Sequence, residues 1–305
     1  MKTQTFQAMG SRIFIALDLP ETIREPLFDQ VAHWFMGWES ILSRFQPDSE
    51  LSRLNHQPKT WVPVSNVLWD VLQCARDAYA LSNGLVNAAM LKAIEELGYV
   101  QSFSDLPKAL NKKNMPSEKQ ANFGFEEIQF NTANQSIYLP VGSSLDLGGI
   151  AKGWAAQQAM LRLSRAAPAL VNAGGDIAIS RAQQSGEPWS IGVTDPLNAE
   201  AHLQVLQVKS GGVATSGKDY HKWQVNGSWV HHILDPRTGQ PAQTDILTAT
   251  VMAPSVLEAE TAAKTVFILG SQAGMQWMKS HPDFTGLLIL NDKSIITNEK
   301  MQALI

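Results

Sequence analysis

The segment Leu145–Trp154, which reads LDLGGIAKGW, holds the residues best suited to binding a charged ligand. Asp146 precedes two glycines, and Lys152 follows them at the start of a predicted helix. Because Gly148 and Gly149 have no side chains, a ligand can lie against the backbone there. Free N–H groups at a helix N-terminus favour an anion and a lysine adds a mobile cation, so the segment is a candidate cradle for a diphosphate. The spacing is neither Walker A nor G-x-G-x-x-G, and a tight turn with a surface lysine is an equally good interpretation.

The segment HHILDPRTGQP at 231–241 contains the residues best suited to proton transfer. Imidazole titrates near neutral pH, so a histidine beside a diphosphate can donate a proton or a hydrogen bond to the leaving phosphate. Neighbouring side chains on a strand point to opposite faces, so His231 and His232 cannot readily bind one metal ion, although Asp235 is close in sequence. We therefore expect one histidine in a site and the other on the opposite face.

Glu260 and Lys264 are one turn apart on the last long helix, which Ser255 and Glu258 begin with a capping-box pattern. Glutamate is a hard oxygen ligand for Mg²⁺, whereas a lysine ammonium has no lone pair and cannot ligate a metal. The ammonium can instead neutralise a diphosphate as a compact point charge. A solvated ion pair of little energetic consequence is the alternative.

Three further polar residues lie beside glycines. Thr215 and Ser216 carry hydroxyls in the stretch VATSG, and turn capping is the structural alternative to ligand binding. Asp176 follows a Gly-Gly pair, where it either caps the turn or contacts a ribose, and the cap is slightly favoured.

Composition excludes several classes of protein. The chain has 305 residues, of which 44% are apolar and 17% charged, and its net charge is −4. Such a chain builds a large core, and without a basic block it indicates neither nucleic acid nor an anionic membrane as partner. Cys74 is the only cysteine, so it forms no intramolecular disulfide and is best interpreted as a buried structural thiol. The N-terminal residues lack the apolar core of a signal peptide, and no segment is long enough for a membrane span, so we expect a cytoplasmic protein.

Apolar periodicity and turn residues predict the elements that position these side chains. Helices are expected over Pro26–Phe45 and Val67–Leu81, from after Gly84 to Gly98, and over about 150–165. Strands are expected at 4–19, Ala169–Asn172, Ile177–Ile179, Trp189–Val193, Leu203–Val208 and Leu247–Met252, with a hairpin about Thr132–Asn134. Residues 101–122 are polar and predict an exposed connection. Strands outnumber helices after residue 165 without steady βαβ alternation, so we predict an α+β fold of mixed or antiparallel sheets with flanking helices.

These motifs, taken in their order along the chain, resemble the ApbE-like family, the FAD:protein FMN transferases. The cradle and the histidine segment belong to the set, together with ALVNAGGDIAI at 169–179 and VATSG at 213–217. An N-terminal pair, Met9-Gly10 and SRFQPDSELSRLN at 43–55, also fits. The resemblance covers about residues 7–270, so we expect a single ApbE-like FAD-binding domain over residues 1–305.

The resemblance implies a reaction and its partners. In this family FMN moves from FAD to a threonine hydroxyl of a partner protein, AMP is released, and Mg²⁺ polarises the diphosphate. The expected protein is therefore a Mg²⁺-dependent transferase whose partners are FAD and an acceptor flavoprotein with a threonine target. Two alternatives stay open: an FAD pyrophosphatase, in which water replaces the threonine, and a non-catalytic flavin-binding protein.

The resemblance also assigns roles to individual residues. His232 is the expected catalytic histidine. The Gly149 carbonyl and Glu260, where relatives usually have Asp, are the expected Mg²⁺ ligands, and Lys264 replaces the usual Thr ligand. Either Glu260 still holds Mg²⁺ or the Lys264 ammonium takes the place of the metal. The expected FAD-binding residues are Met9, Phe45, Leu85, Val86, Asn87, Asp146, Lys152, Asp176, Thr215, Ser216 and Ile233.

Two of these residues need separate comment. Asn87 replaces the Asp that is usual in the family, and its amide can still hydrogen-bond a flavin edge without carrying charge. Phe45 falls where an aromatic residue flanks the flavin ring in the family, and a core residue at the end of a helix is the alternative.

Overall fold

The computed structural model describes residues 1–19, 26–110, 124–218 and 221–302. In chain order the helices are α1 (Pro26–Leu42), α2 (Glu50–Asn55), α3 (Asn66–Leu81), α4 (Leu91–Glu96), α5 (Ala151–Leu163), α6 (Val256–Leu269), α7 (Ser271–Lys279) and α8 (Glu299–Gln302). The strands are β1 (Lys2–Ala8), β2 (Ser11–Leu17), β3 (Trp61–Pro63), β4 (Ala109–Leu110), β5 (Gln129–Asn131), β6 (Ser136–Tyr138), β7 (Ala169–Ala173), β8 (Asp176–Ile179), β9 (Trp189–Asp195), β10 (Asn198–Val208), β11 (Gly211–Gly217), β12 (Lys222–Val225), β13 (Ser228–His231), β14 (Leu234–Asp235), β15 (Gln240–Pro241), β16 (Ile246–Ala253), β17 (Thr285–Leu290) and β18 (Ile295–Thr297).

The chain divides into two compact units, each assembled from segments that are distant in sequence. The first unit comprises Met1–Phe35, Lys152–Tyr220 and Gln243–Ile305, and the second comprises Met36–Ala151 and His221–Ala242. The expectation of one domain over residues 1–305 stays a prediction.

An eight-stranded sheet forms the centre of the first unit, in the order β1-β2-β7-β8-β11-β16-β17-β18. Every neighbouring pair in this sheet is antiparallel. Sequential hairpins need only short connections, which is why strands crowd the sequence after residue 165. The predicted α+β class is confirmed.

A hairpin of β9 and β10 contributes to the core of the first unit. Alternate residues of β9 are buried, which is the two-residue period of a strand with one face in a core. The buried cluster that joins the hairpin to strands of the sheet includes Trp189, Ile191, Val193, Leu206, Val208, Ile177, Val213, Leu287 and Ile289.

Helix α6 lies directly against β11 because Gly212 has no side chain. A Cβ atom at Gly212 would come within 2.2 Å of backbone atoms in the first residue of α6. The helix begins as the capping box predicts, since Ser255 Oγ accepts a hydrogen bond from the Glu258 N–H at 3.2 Å and donates one to Glu258 Oε2 at 2.7 Å. The backbone contact and the cap together fix the helix that carries Glu260.

Small sheets and helices, of which α3 has 16 residues, make up the second unit. Strands β3, β6 and β5 form one three-stranded sheet, and β13, β12 and β4 form another. Trp223 on β12 is fully buried beside α4, and its indole N–H donates to the Leu97 carbonyl at 2.9 Å. The predicted hairpin about Thr132–Asn134 is confirmed by the antiparallel pairing of β5 and β6.

The predicted strand over residues 4–19 is wrong, because the segment is a hairpin of β1 and β2. Met9 and Gly10 both have left-handed backbone conformations, with φ of 52° and 65°. Two consecutive residues of this kind form the tight turn that matches the twist of a two-stranded hairpin. Apolar alternation continues through both strands and does not mark the turn.

Two predicted helices are longer than the observed ones. Helix α1 ends at Leu42 and not at Phe45, and α4 begins only at Leu91. Before α4, Asn87 Oδ1 accepts the Ala89 N–H at 2.8 Å, and this local bond holds a turn in place of a helix. Within the described residues, none of the helices has the length and apolar character needed to cross a membrane.

The predicted exposed connection over residues 101–122 is exposed only in part. Leu106 is buried, and Ala109–Leu110 form β4, which pairs in parallel with β12. Apolar contacts of Phe103 and Leu106 with the Trp223 core explain this order. Residues 111–122 lie outside the described residues.

Candidate active site

Four charged side chains gather in the first unit, and we name Lys152, Asp176, Glu260 and Lys264 the charged cluster. Lys264 Nζ lies 2.8 Å from Glu260 Oε1, and the two side chains are 17% and 2% exposed. Asp176 is also buried. Charge interactions connect Asp176 to Glu260 and to both lysines. The i,i+4 pair predicted from the sequence is therefore a buried ion pair and not a solvated one.

Glycines allow the backbone to approach the charged cluster closely. Glu260 Oε2 lies so near Gly153 of α5 that a Cβ atom there would come within 2.3 Å of it. Gly174 has φ +69°, and a Cβ atom at this position would come within 2.7 Å of Ser11 Oγ, while its 3.8 Å distance to the Lys152 side chain is ordinary contact. Asn172 Oδ1 accepts the Gly175 N–H at 2.8 Å, so the Gly-Gly turn is capped by Asn172. The sequence assigned that cap to Asp176.

Asp176 holds its proton more tightly than an ordinary aspartate. Burial and the neighbouring Glu260 carboxylate raise its pKa from 3.8 to about 7, while Lys152 and Lys264 oppose the rise. A carboxyl group with a pKa near neutrality is able to exchange a proton at physiological pH.

We expect the contribution of Asp176 to the stability of the protein to fall between pH 4 and pH 7 as this residue ionises. Its folded-state pKa of about 7 exceeds the usual 3.8, so the folded state binds more protons in this window and loses stability as pH rises. Asp176→Asn should remove this part of the fall, as urea unfolding across a pH series will show. Asp292 is the control, because hydrogen bonds from Ser294 lower its pKa and its contribution therefore changes only near and below pH 4. Asp292→Asn should leave the fall between pH 4 and pH 7 unchanged. An unaltered fall in Asp176→Asn would contradict the assignment.

The charged cluster does not fit a divalent cation. Glu260 Oε2 is buried and accepts no hydrogen bond from the described residues, which by itself would suit a cation. The other oxygen is held by Lys264, however, and the two lysines at least match the negative charge of Glu260 and the partly ionised Asp176. In the part of the chain that the structure describes, no group of three or more His, Cys, Asp or Glu side chains could hold a metal ion.

Thr215 and Ser216 lie within β11 and not in a turn, so the turn-capping alternative is wrong. Thr215 Oγ1 is 2.8 Å from the hydroxyl of Thr250 on the paired strand β16. Ser216 is buried, whereas Thr215 is exposed. Their predicted contacts with FAD stay predictions.

The amides of the cradle are not free in the way the sequence suggests. Asp146 Oδ1 accepts the Gly148 N–H at 2.8 Å, and the Leu147 carbonyl accepts those of Ile150 and Ala151 at 3.0 and 2.8 Å. An Asx turn and the first turn of α5 therefore use these donors. The prediction that backbone N–H groups of the cradle are available to bind an anion is wrong for Gly148, Ile150 and Ala151.

Arg44 is a buried arginine that the sequence analysis does not identify, and it forms an ion pair with Asp146 in the second unit. Arg44 Nε lies 3.4 Å from Asp146 Oδ2, Nη1 donates to the Tyr99 carbonyl at 2.8 Å, and the side chain is 5% exposed. The guanidinium lies 4.1 Å from the centre of the Phe45 ring and 4.8 Å from that of Tyr99. Nη2 is buried and has no hydrogen-bond partner among the described residues. Arg44 belongs to the motif SRFQPDSELSRLN, but only its contacts with residues distant in sequence identify it as a candidate functional residue.

Aromatic rings continue from Phe45 to the predicted catalytic histidine, all within the second unit. Ring centres are 5.7 Å apart for Phe45 and Tyr99, 6.2 Å for Tyr99 and Phe103, and 4.4 Å for Phe103 and His221. His221 and His232 complete the series at 5.0 Å. We name these five side chains the aromatic row. Burial raises the pKa of Tyr99 to about 12, so its phenol stays neutral.

The two histidines of the HHILDPRTG segment differ in burial and in their contacts, and the expectation that only one of them lies in a site stays a prediction. His231 ends β13, is buried, and has Nε2 3.2 Å from the Ala242 carbonyl oxygen. His232 is half-buried, and its Nδ1 lies 3.4 Å from the His221 carbonyl oxygen. Asp235 is engaged by Arg237, with Nε–Oδ1 and Nη2–Oδ2 distances of 2.9 and 2.7 Å, so its carboxylate shapes the turn.

The remaining predicted residues take ordinary structural positions. Met9 lies in the β1–β2 turn, Val86 and Ile233 are buried, and Leu85 is half-buried. Gly149 precedes α5. Asn87 directs its carbonyl oxygen to the turn before α4. Their roles toward FAD or a metal stay predictions.

Comparison with known proteins places the chain in a family. The ApbE family model matches residues 9–288. An FAD:protein FMN transferase of Klebsiella pneumoniae (strain 342) is 27% identical over 295 residues, covering 94% of this chain and 89% of the relative. One of Treponema pallidum is 30% identical over 279 residues, covering 84% and 75%.

Solved structures agree with this placement. The crystal structure of the ApbE protein from Thermotoga maritima has a TM-score of 0.85 and 25% identity, covering 99% of this chain and 98% of that one. The flavin transferase ApbE from Vibrio cholerae, at 20% identity, shows the same fold with a TM-score of 0.82 and covers 100% and 99%. With sequence and fold matched over nearly the whole length, this chain belongs to the ApbE family.

Proposed function

We propose that the protein transfers FMN from FAD to a threonine hydroxyl of an acceptor flavoprotein and releases AMP. The strongest support is the match, over nearly the whole chain, to relatives named FAD:protein FMN transferase. The charged cluster and the aromatic row add the side chains that such chemistry needs: ammonium groups, a histidine and exposed ring surface. The cytoplasmic location stays a prediction from the sequence.

The reaction is a substitution at phosphorus. The threonine oxygen attacks the phosphorus of the FMN half, the bond from this phosphorus to the bridging oxygen breaks, and AMP leaves with that oxygen. The hydroxyl proton passes to a base, and His232 is our candidate. With Nδ1–H donating to the His221 carbonyl at 3.4 Å, the lone pair of the imidazole is on Nε2.

The chemistry of the side chains suggests which residues bind the diphosphate of FAD and which bind its flavin ring. Lys152 and Lys264 are the proposed partners of the phosphates, because an ammonium neutralises phosphate oxygens as a point charge. The Phe45 and Tyr99 rings, held by Arg44, offer apolar faces to the isoalloxazine. The Mg²⁺ requirement expected from the resemblance is not part of this proposal, and no step is assigned to the metal.

Product analysis after incubation with FAD tests the proposal. With a threonine-bearing acceptor protein, we expect AMP and an acceptor whose mass has risen by that of bound FMN. FMN and AMP without acceptor modification would indicate the pyrophosphatase alternative. FAD that stays bound and intact would indicate a flavin-binding protein, and either result would overturn the transferase proposal.

A further inference from the structure

The side chain of Glu260 is buried, with one oxygen in an ion pair and the other packed close to the α5 backbone. Lys264 Nζ lies 2.8 Å from Oε1, and Oε2 lies against Gly153, where a Cβ atom would come within 2.3 Å. The Glu260 side chain is 2% exposed, whereas the Lys264 side chain is 17% exposed. Lys264 is therefore the more accessible residue of the pair.

The charge balance of the charged cluster also disfavours a divalent cation at Glu260. The ammonium groups of Lys152 and Lys264 at least match the negative charge of Glu260 and Asp176, because Asp176, with a pKa of about 7, is only partly ionised at neutral pH. A divalent cation bound to either oxygen of Glu260 would lie beside the Lys264 ammonium, which contacts Oε1 at 2.8 Å. Like charges at such distances repel strongly where little water screens them.

We propose that Lys264 is the built-in cation of this site, which binds a phosphate of the diphosphate substrate and makes a divalent metal unnecessary. The inference rests on the proposed function for the identity of the substrate. A lysine suits the role because it carries three donors on a flexible stem and presents one full charge. Glu260 then positions the ammonium and does not ligate a metal.

Thermal unfolding with Mg²⁺ alone tests the metal part of the proposal without any substrate. We expect Mg²⁺ to leave the Tm of the wild type unchanged. In Lys264→Thr the ammonium is gone and a hydroxyl oxygen is added, so Mg²⁺ should raise the Tm. Lys279→Thr, at the exposed end of α7, is the control and should behave as the wild type. A rise in the Tm of the wild type as large as that of Lys264→Thr would overturn the proposal.

Release of AMP from FAD in the presence of the acceptor protein tests the catalytic part. In the wild type the rates in EDTA and in Mg²⁺ should agree within about twofold, whereas Lys264→Thr should be about tenfold slower in EDTA than in Mg²⁺. Lys264→Met, which has neither charge nor ligand oxygen, should be slow in both. A wild type that loses its activity in EDTA would contradict the inference even if the variants fail to fold. If FAD stays intact under every condition, the proposed function fails, and the unfolding series with Mg²⁺ still decides whether Lys264 excludes the metal.

Discussion

His232→Ala is expected to transfer FMN about a thousandfold more slowly than the wild type, which is the order contributed by a positioned proton acceptor. In the proposed reaction the threonine hydroxyl is a weak nucleophile until its proton is taken. The His221 carbonyl faces Nδ1 of His232 and so leaves the lone pair on Nε2. The rate of acceptor modification at saturating FAD measures the loss.

The fold should tolerate this substitution. His232 is half-buried and lies just beyond the end of β13, so we expect the Tm to stay within about 3 °C of the wild-type value. His231→Ala is the matched control, because His231 is buried and faces the Ala242 carbonyl. Removing a buried hydrogen-bonding side chain should reduce the free energy of unfolding by about 1–3 kcal/mol. The transfer rate of the folded control should stay near that of the wild type.

The opposite pattern would reverse our assignment. If His231→Ala abolished transfer at a temperature where it is folded, while His232→Ala retained activity, the catalytic face of the segment would be the one that carries His231. If both variants were folded and both lost activity, FMN transfer would depend on the geometry of the turn and not on a single imidazole.

Much of the fold could be predicted from the sequence because its signals are local. Helix α6 has its cap, its period and its Glu260–Lys264 pair within one continuous stretch, and all three are observed. The hairpin about Thr132–Asn134 likewise depends on a few neighbouring residues. The β1–β2 turn could not be predicted in the same way, because Met9 gives no composition signal for its left-handed backbone.

The candidate site was less predictable because its contacts join distant parts of the chain. The Arg44 guanidinium meets the Tyr99 carbonyl across 55 positions of sequence, and no motif marks the pair. His221 stands beside His232 only because β12 and β13 form a hairpin. The close packing of Glu260 against Gly153 could not be predicted either, because no sequence pattern shows which side chain contacts a glycine inside a helix.

Gly153→Ala is expected to destabilise the protein by about 2 kcal/mol, although alanine is the better helix former by nearly 1 kcal/mol. The new Cβ atom would lie 2.3 Å from Glu260 Oε2, so the carboxylate must move. Movement stretches its contact with Lys264, and the buried site offers no water to replace that contact. Urea unfolding of the single variant measures the cost.

The cause can be isolated in the Glu260→Ala background. Glu260 Cβ would lie 3.9 Å from the new methyl group, which is ordinary contact, so without the carboxylate Gly153→Ala should be neutral or stabilising. The difference between the two backgrounds is the coupling energy of the pair, expected at about 2–3 kcal/mol. Gly37→Ala is the control, because Gly37 lies in α1 with no atom within 4 Å of its added Cβ, and it should stabilise both backgrounds equally. An equal cost of Gly153→Ala with and without Glu260 would show that the carboxylate does not explain this glycine.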